Sequence, residues 1–237
     1  MKKIVVLTGA GVSKESGLDT FRDANGIWAK YNMEDVCTPE GFRRNPQKLH
    51  EFYNKLRQDL PNVHPNAAHI ALAELGNAIE RKQIEAQLTL ITQNIDDLHE
   101  RAGSKHPIHM HGDLYQLWCC GCDAKLEWHQ ACFIDTPCPS CGQNKLRPDI
   151  VWFGEMPYDM DKIQTALLSC DIFVSIGTSG VVYPAAGFVQ MASSAHAKTI
   201  ELNLEISAGT SLFNESFLGP ATQLVPQFVE KLLKGEI

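Results

Sequence analysis

The sequence predicts the α/β class, a doubly wound Rossmann-like parallel sheet with a smaller inserted domain, on three observations. Continuous apolar, largely β-branched runs at Ile4 to Leu7, Leu88 to Ile91, Asp171 to Ile176 and Thr199 to Leu204 suit strands buried on both faces. Segments with helical spacing, such as Asn66 to Leu75 and Lys162 to Leu168, separate these runs, and such alternation builds a parallel sheet covered by helices. Two stretches interrupt it: Trp28 to Pro65, with signals for short helices, and Trp118 to Leu146, rich in cysteine and proline. The expected boundaries are residues 1–30, 66–117 and 148–237 for the sheet domain, and 31–65 with 118–147 for the small one.

Size and composition agree with this division. A chain of 237 residues, 44% hydrophobic and 21% charged, can bury a large core without disulfides. A net charge of −7 disfavours non-specific nucleic-acid binding, which needs a basic surface, and makes cationic partners the easier match. No apolar run approaches the roughly 18 residues needed to span a bilayer, and Thr8-Gly9 cuts the first run short of a secretion-signal core. No membrane partner is expected, and the expected location is the cytoplasm.

The eight cysteines are clustered, six of them between Cys119 and Cys141. Cys119-Cys120-Gly121-Cys122 and Cys138-Pro139-Ser140-Cys141 form two Cys-x-x-Cys knuckles, fifteen residues apart, which suits one tetrahedral Zn²⁺ on Cys119, Cys122, Cys138 and Cys141. A disulfide or redox pair is the competing reading, disfavoured by the doubled motif. Four thiolates leave no open coordination position, so this zinc is structural and the chemistry lies elsewhere.

The first strand ends in Gly9-Ala10-Gly11, a turn that lets backbone approach a pyrophosphate, but Lys14 stands where the dinucleotide fingerprint has its third glycine. The wider segment Gly9-Ala10-Gly11-Val12-Ser13-Lys14-Glu15-Ser16-Gly17-Leu18-Asp19-Thr20-Phe21-Arg22 resembles the cofactor loop of the sirtuins, GAGxSxxSGxxxFR. Thr92-Gln93-Asn94-Ile95-Asp96-Asp97-Leu98-His99 resembles their TQNIDxLH motif, and His111-Gly112 their HG motif before the first zinc knuckle. The segment Arg147 to Glu155 is similar to theirs after the ribbon, and the motifs follow in the family's order along nearly the whole chain.

The resemblance implies NAD as co-substrate and structural zinc, with removal of acyl groups, chiefly acetyl, from protein lysines. The acyl oxygen attacks the ribose carbon as nicotinamide leaves, and O-acyl-ADP-ribose is the product. It assigns Gly9, Ala10, Gly11, Ser13, Gly17, Phe21, Arg22, Trp28, Gln93, Asn94, Ile95, Asp96, His111, Gly177, Thr178, Ser179 and Asn203 to NAD. His111 becomes the general base, a role imidazole suits because its pKa lies near operating pH; Asn94 and Asp96 complete the catalytic group. His109 and His111, two apart on one face of an expected strand, also allow a metal reading, without carboxylate support.

Val151 and Phe153 are expected to line the acyl-lysine tunnel beside a substrate peptide added as a β-strand. The stretch Phe21 to Trp28 looks most like the bacterial branch that includes desuccinylases, which recognise acidic acyl groups with a Tyr-x-x-Arg pair. Tyr53 matches that pair, Leu56 stands in the arginine's place, and Arg57, four residues from Tyr53 on a helix, is the expected substitute. The alternatives are a dehydrogenase, disfavoured by Lys14 and the closed zinc site, and a ribbon that binds nucleic acid, disfavoured by the acidic charge.

Overall fold

A computed structural model describes residues 1–19 and 31–237. In chain order its main elements are β1 (Lys2–Thr8), α1 (Ala10–Lys14), α2 (Met33–Val36), α3 (Pro39–Arg44), α4 (Pro46–Asp59), α5 (Ala67–Glu80), β2 (Ala86–Thr92), α6 (Leu98–Arg101) and β3 (Ile108–His109). Then come β4 (Gly112–Cys119), β5 (Lys125–Glu127), β6 (Leu146–Ile150), α7 (Met160–Leu167), β7 (Ile172–Ile176), α8 (Phe188–Ser194), β8 (Lys198–Asn203), β9 (Glu215–Leu218) and α9 (Ala221–Leu233).

Six strands form a parallel sheet in the order β3-β2-β1-β7-β8-β9. The chain winds outward in both directions from the β1/β7 pair, and sheets of this kind take ligands at the carboxyl ends of their strands beside such a switch point. Alternate residues of each strand feed two cores. Ile4, Val6, Ile172, Val174, Ile200 and Leu202 pack with Leu72 and Leu75 of α5 and Val225, Phe228 and Val229 of α9. Val5, Leu7 and Phe173 pack on the other face with Ile163 and Leu167 of α7 and Phe188, Val189 and Ala192 of α8. With both faces covered, the inner strands read as unbroken apolar runs, which made them visible in the sequence.

A three-stranded antiparallel sheet, β5-β4-β6, carries the cysteine knuckles. It begins at Gly112 and ends at Ile150, reaching beyond the cysteine-rich stretch on both sides. Gly112 has φ +86, and a Cβ there would lie 2.0 Å from Asp149 O, so only glycine lets β4 and β6 meet beside His111. The short helices expected between residues 31 and 65 are α2, α3 and α4. They enclose a third apolar cluster with Leu49, Phe52, Tyr53, Leu114, Ile150 and Trp152.

A ladder of cations and rings ties the small sheet to the segment after β6. The Arg147 guanidinium lies 3.3 Å from the Trp152 ring centre and 5.1 Å from that of Trp118, and the Lys125 ammonium lies between Trp118 and Tyr158 at 4.7 and 4.8 Å. Arg147 also donates to both oxygens of Glu155, at 2.7 and 3.0 Å, and Glu155 accepts the Trp152 backbone N–H. Paired, planar contacts of this kind are the ones arginine makes and lysine does not.

Candidate active site

The carboxyl ends of β1, β2, β7 and β8 bring the sequence-predicted residues to one rim. Gly9 and Gly11 serve close approach: a Cβ on Gly11 would sit 2.7 Å from Gly177 Cα, and the Gly11 N–H donates to Gly177 O at 2.9 Å. The Gly9 N–H donates to Ile176 O, so these two amides knit the two loops together. Ala10 starts α1, and Gly17 closes the turn after it. On the neighbouring loop the Thr178 hydroxyl lies 3.0 Å from that of Ser175, the Asn203 amide donates to Thr178 O at 2.7 Å, and Ser179 O accepts from Ala208 N. Phe21, Arg22 and Trp28 lie outside the described residues.

Beneath this rim is a buried polar chain. Ser13 Oγ donates to Asp96 Oδ2 at 3.0 Å and accepts from the Asn94 amide at 3.1 Å; His69 Nε2 lies 3.4 Å away. The Asn66 backbone N–H donates to His69 Nδ1, which leaves the proton on Nε2 and makes His69 a donor to Ser13. Burial lowers His69 to a pKa of about 4. Burial also pushes Asp96 up to about 6, against the Leu98 N–H and the Ser13 hydroxyl, which favour its charge. His99 Nε2 lies 3.0 Å from Thr8 Oγ1, while its buried Nδ1 has no partner among the described residues. His69 was not singled out from sequence; its signal was the Asn66 cap three residues before it.

The loop after β2 is held carbonyl by carbonyl from the segment 109–114. Met110 N–H donates to Thr92 O at 3.1 Å and Leu114 N–H to Ile95 O at 2.9 Å. Between them, His111 Nδ1 lies 3.0 Å from Gln93 O, and His109 Nδ1 lies 3.2 Å from Asn94 O. A carbonyl only accepts, so His111 carries its proton on Nδ1 and has its lone pair on Nε2. Burial lowers its pKa, opposed by the Gln93 carbonyl, so the ring is neutral at pH 7 and able to take a proton. The strand β3 stops at His109, and residues 110–111 turn; the two rings share carbonyl anchors, not a metal.

Val151 is half-buried and Phe153 is exposed. Their N–H groups donate to His111 O and Cys37 O, both at 2.9 Å, and the Trp152 N–H is held by Glu155, so an added strand there can only donate to carbonyls. Tyr53 is buried, with its hydroxyl accepting from Trp152 Nε1 at 3.1 Å and 3.8 Å from Cys37 Sγ. Arg57 is 2% exposed and spends Nε on Leu114 O and Nη1 on Asn54 Oδ1, both at 3.0 Å. Its bonds brace α4 against β4, while its Nη2 is buried without a hydrogen-bond partner among the described residues. Leu56 packs into the apolar cluster around Tyr53.

In the small sheet the Sγ atoms of Cys119, Cys122, Cys138 and Cys141 lie within 4.8 Å of one another. Cys119 and Cys141 are 3.7 Å apart, and Cys122 and Cys138 are 3.8 Å apart. Four sulfurs at about 2.3 Å from a tetrahedral Zn²⁺ stand roughly 3.8 Å from each other, so this set fits the ion and closes its coordination. Cys120 is exposed, and Cys132 is buried with its backbone N–H on Asn54. Among the described residues, no helix is long and apolar enough to cross a membrane.

Residues 9–184 match the profile of the Sir2 family. The NAD-dependent protein deacylase of Salmonella typhimurium is 52% identical over 236 residues, covering 98% of this chain and 85% of the relative. Among solved structures, a Sir2 homologue in complex with NAD superposes with a TM-score of 0.87 at 37% identity, over 99% of this chain and 90% of that one. Sir2Af2 bound to a myristoylated histone peptide superposes at 0.75 and 33% identity, over 100% and 94%.

Proposed function

The chain belongs to the Sir2 family, and we propose that it removes acyl groups, chiefly acetyl, from lysine side chains of cytoplasmic proteins, consuming NAD and releasing nicotinamide and O-acyl-ADP-ribose. The observation that carries this reading is the His111 ring. Its Nδ1 proton is fixed on Gln93 O, which leaves the lone pair on Nε2, and Gln93 opens the loop whose Asn94 and Asp96 hydrogen-bond to Gly9 and Ser13.

NAD supplies an electrophilic ribose carbon once nicotinamide departs. The protein's part is to hold and to move protons. Ala10, Gly11, Ser13, Gly17, Thr178, Ser179 and Asn203 line the dinucleotide's path, with Phe21, Arg22 and Trp28 from the segment that follows Asp19. Asn94, pinned through Nδ2 to Gly9 O at 3.2 Å and to Ser13, steadies the ribose side, and Asp96 receives the carboxamide of nicotinamide. His111 withdraws a proton from a ribose hydroxyl, and the three serial carbonyl bonds around it keep that nitrogen on target.

Peptide substrates enter along Val151 and Phe153, donating to carbonyls there. Acetyl is favoured over succinyl because Leu56 adds only apolar surface and Arg57 is 2% exposed, with Nε held by Leu114 O and Nη1 by Asn54, so only its buried Nη2 is unpartnered among the described residues. The zinc ribbon is structural and takes no part in the chemistry. Eight free thiols, four of them grouped for a metal, support a reducing compartment.

The test is mass spectrometry of a panel of acyl-lysine peptides, with and without NAD and with His111→Ala as control. NAD-dependent loss of acetyl that disappears in the variant is the expected result. Acyl loss independent of NAD, or faster loss of succinyl than acetyl, would overturn the corresponding part of the proposal.

A further inference from the structure

His111 is one of two histidines that grip the loop after β2, and the other differs in its chemistry. His109 Nδ1 lies 3.2 Å from Asn94 O, and its Nε2 lies 2.7 Å from Glu100 Oε1 on α6. Both neighbours are acceptors: a carbonyl has no proton to give, and a carboxylate beside a cation has none either. A ring that satisfies both must donate from both nitrogens, and only the imidazolium does so.

We propose that His109 works as a positioning residue in its doubly protonated form, a charged strut between Glu100 and the Asn94 carbonyl that fixes the loop bearing Asn94 and Asp96. This rests on the deacylase reading for its consequence in catalysis, but the ionisation itself does not. Loss of the ring proton from Nδ1 would set two lone pairs face to face at Asn94 O. Loss from Nε2 would do the same at Glu100. Either way one end of the strut opens, and Asn94 is freed at the carbonyl next to the one that orients His111.

The surroundings suit a cation. Glu100 faces the ring from α6, Asp113 from β4 and Asp96 from the loop itself, while His99 on α6 is held neutral by burial and by the neighbouring rings. Asp97 is engaged by Arg101 at 3.5 Å. Burial of His109 alone would lower its pKa, but Glu100, Asp113 and the Asn94 carbonyl outweigh it and raise it above the usual histidine value. The sign of the linkage follows. The strut stabilises the fold and the loop fully below the ordinary histidine pKa of about 6.5, and that stabilisation is lost as pH rises through the raised value.

The wild type therefore has an acid limb set by His111, which must be neutral, and an alkaline limb set by His109, which must be charged. Glu100→Gln removes the main charge partner. It is expected to lower the His109 titration, followed by NMR of ¹⁵N-histidine protein, by at least about one pH unit, and to move the alkaline limb of kcat/KM for NAD down by the same amount. One unit is about tenfold in activity on that limb. Glu100→Asp should restore both in part, and His109→Gln, which keeps a donor for Asn94 O, should abolish the alkaline limb.

A His109 ring that titrates at or below 6.5 in the wild type overturns the proposal, as does a Glu100→Gln profile that overlays the wild type. A variant that lowers melting temperature without moving either titration assigns the pair to packing and also overturns it. If no acyl peptide is turned over, the deacylase reading fails while the ring titration still decides the charge of His109.

Discussion

The two functional regions of this molecule are built on opposite plans. In the ribbon, four thiols come from two turns, and each turn supplies a pair from residues three apart, so the donors converge by local geometry and close on one another. At the rim of the large sheet, Ser13, His111 and the pair Asn94 and Asp96 come from three separate segments, and only strand pairing brings them together. A closed set holds a fold, whereas an open set leaves a base free to act. The difference teaches that the first site is stable by itself once metal is present, and that the second depends on every strand beneath it.

Withdrawing the metal is the strongest way to test that contrast. Structural Zn²⁺ contributes on the order of 10 kcal/mol to small ribbons, so a strong chelator or Cys138→Ser should unfold residues 112–150. Calorimetry is expected to show a large loss of melting temperature, and activity should fall with it. An activity lost while the melting curve stands still would break the comparison, because the ribbon would then be taking part in the chemistry.

The converse change is His111→Ala, which should cost roughly 10²- to 10⁴-fold in kcat, the usual worth of a general base, with a melting temperature close to wild type. Gly112→Ala probes the seam between the regions. The added methyl meets Asp149 O and the backbone is held at φ +86, so a loss of about 3 kcal/mol or more is expected in urea unfolding.

Asp96→Asn is the smallest and the most discriminating. A carboxyl raised from 3.8 to about 6 by burial binds its proton more tightly in the folded state, so its deprotonation costs stability as pH climbs between those values. The neutral amide should therefore stabilise the fold above pH 6, by on the order of 1–3 kcal/mol at pH 8, while activity drops. A variant less stable than wild type at pH 8 would mean that the Ser13 and Leu98 hydrogen bonds, and not the buried charge, dominate at this position.

How much was legible in advance follows the same division. The doubly wound sheet could be read because its inner strands are apolar on both faces, and the zinc set because chelating spacing is local. Arg57 could not. Helical spacing placed it on Tyr53's side of α4, but whether its guanidinium faces a ligand or Leu114 O depends on β4, nearly sixty residues away. His109 was legible only in part: the i,i+2 rule put its ring on one face with that of His111 and left Met110 for the core, but the carbonyls of Gln93 and Asn94 and the carboxylate of Glu100 that hold the rings come from other segments. His69 and Glu100 drew no notice because a buried cap and an exposed carboxylate are ordinary until their partners are known.

The stack of Trp118, Arg147 and Trp152 carries a consequence for observation. Two indoles flank one cation, one on the metal-bearing sheet and the other on the stretch leading to Phe153, so their ultraviolet emission is a gauge wired into the joint. Any event that slides the ribbon against that stretch, whether metal loss or the arrival of a peptide, should change the quenching of both and be visible without a label.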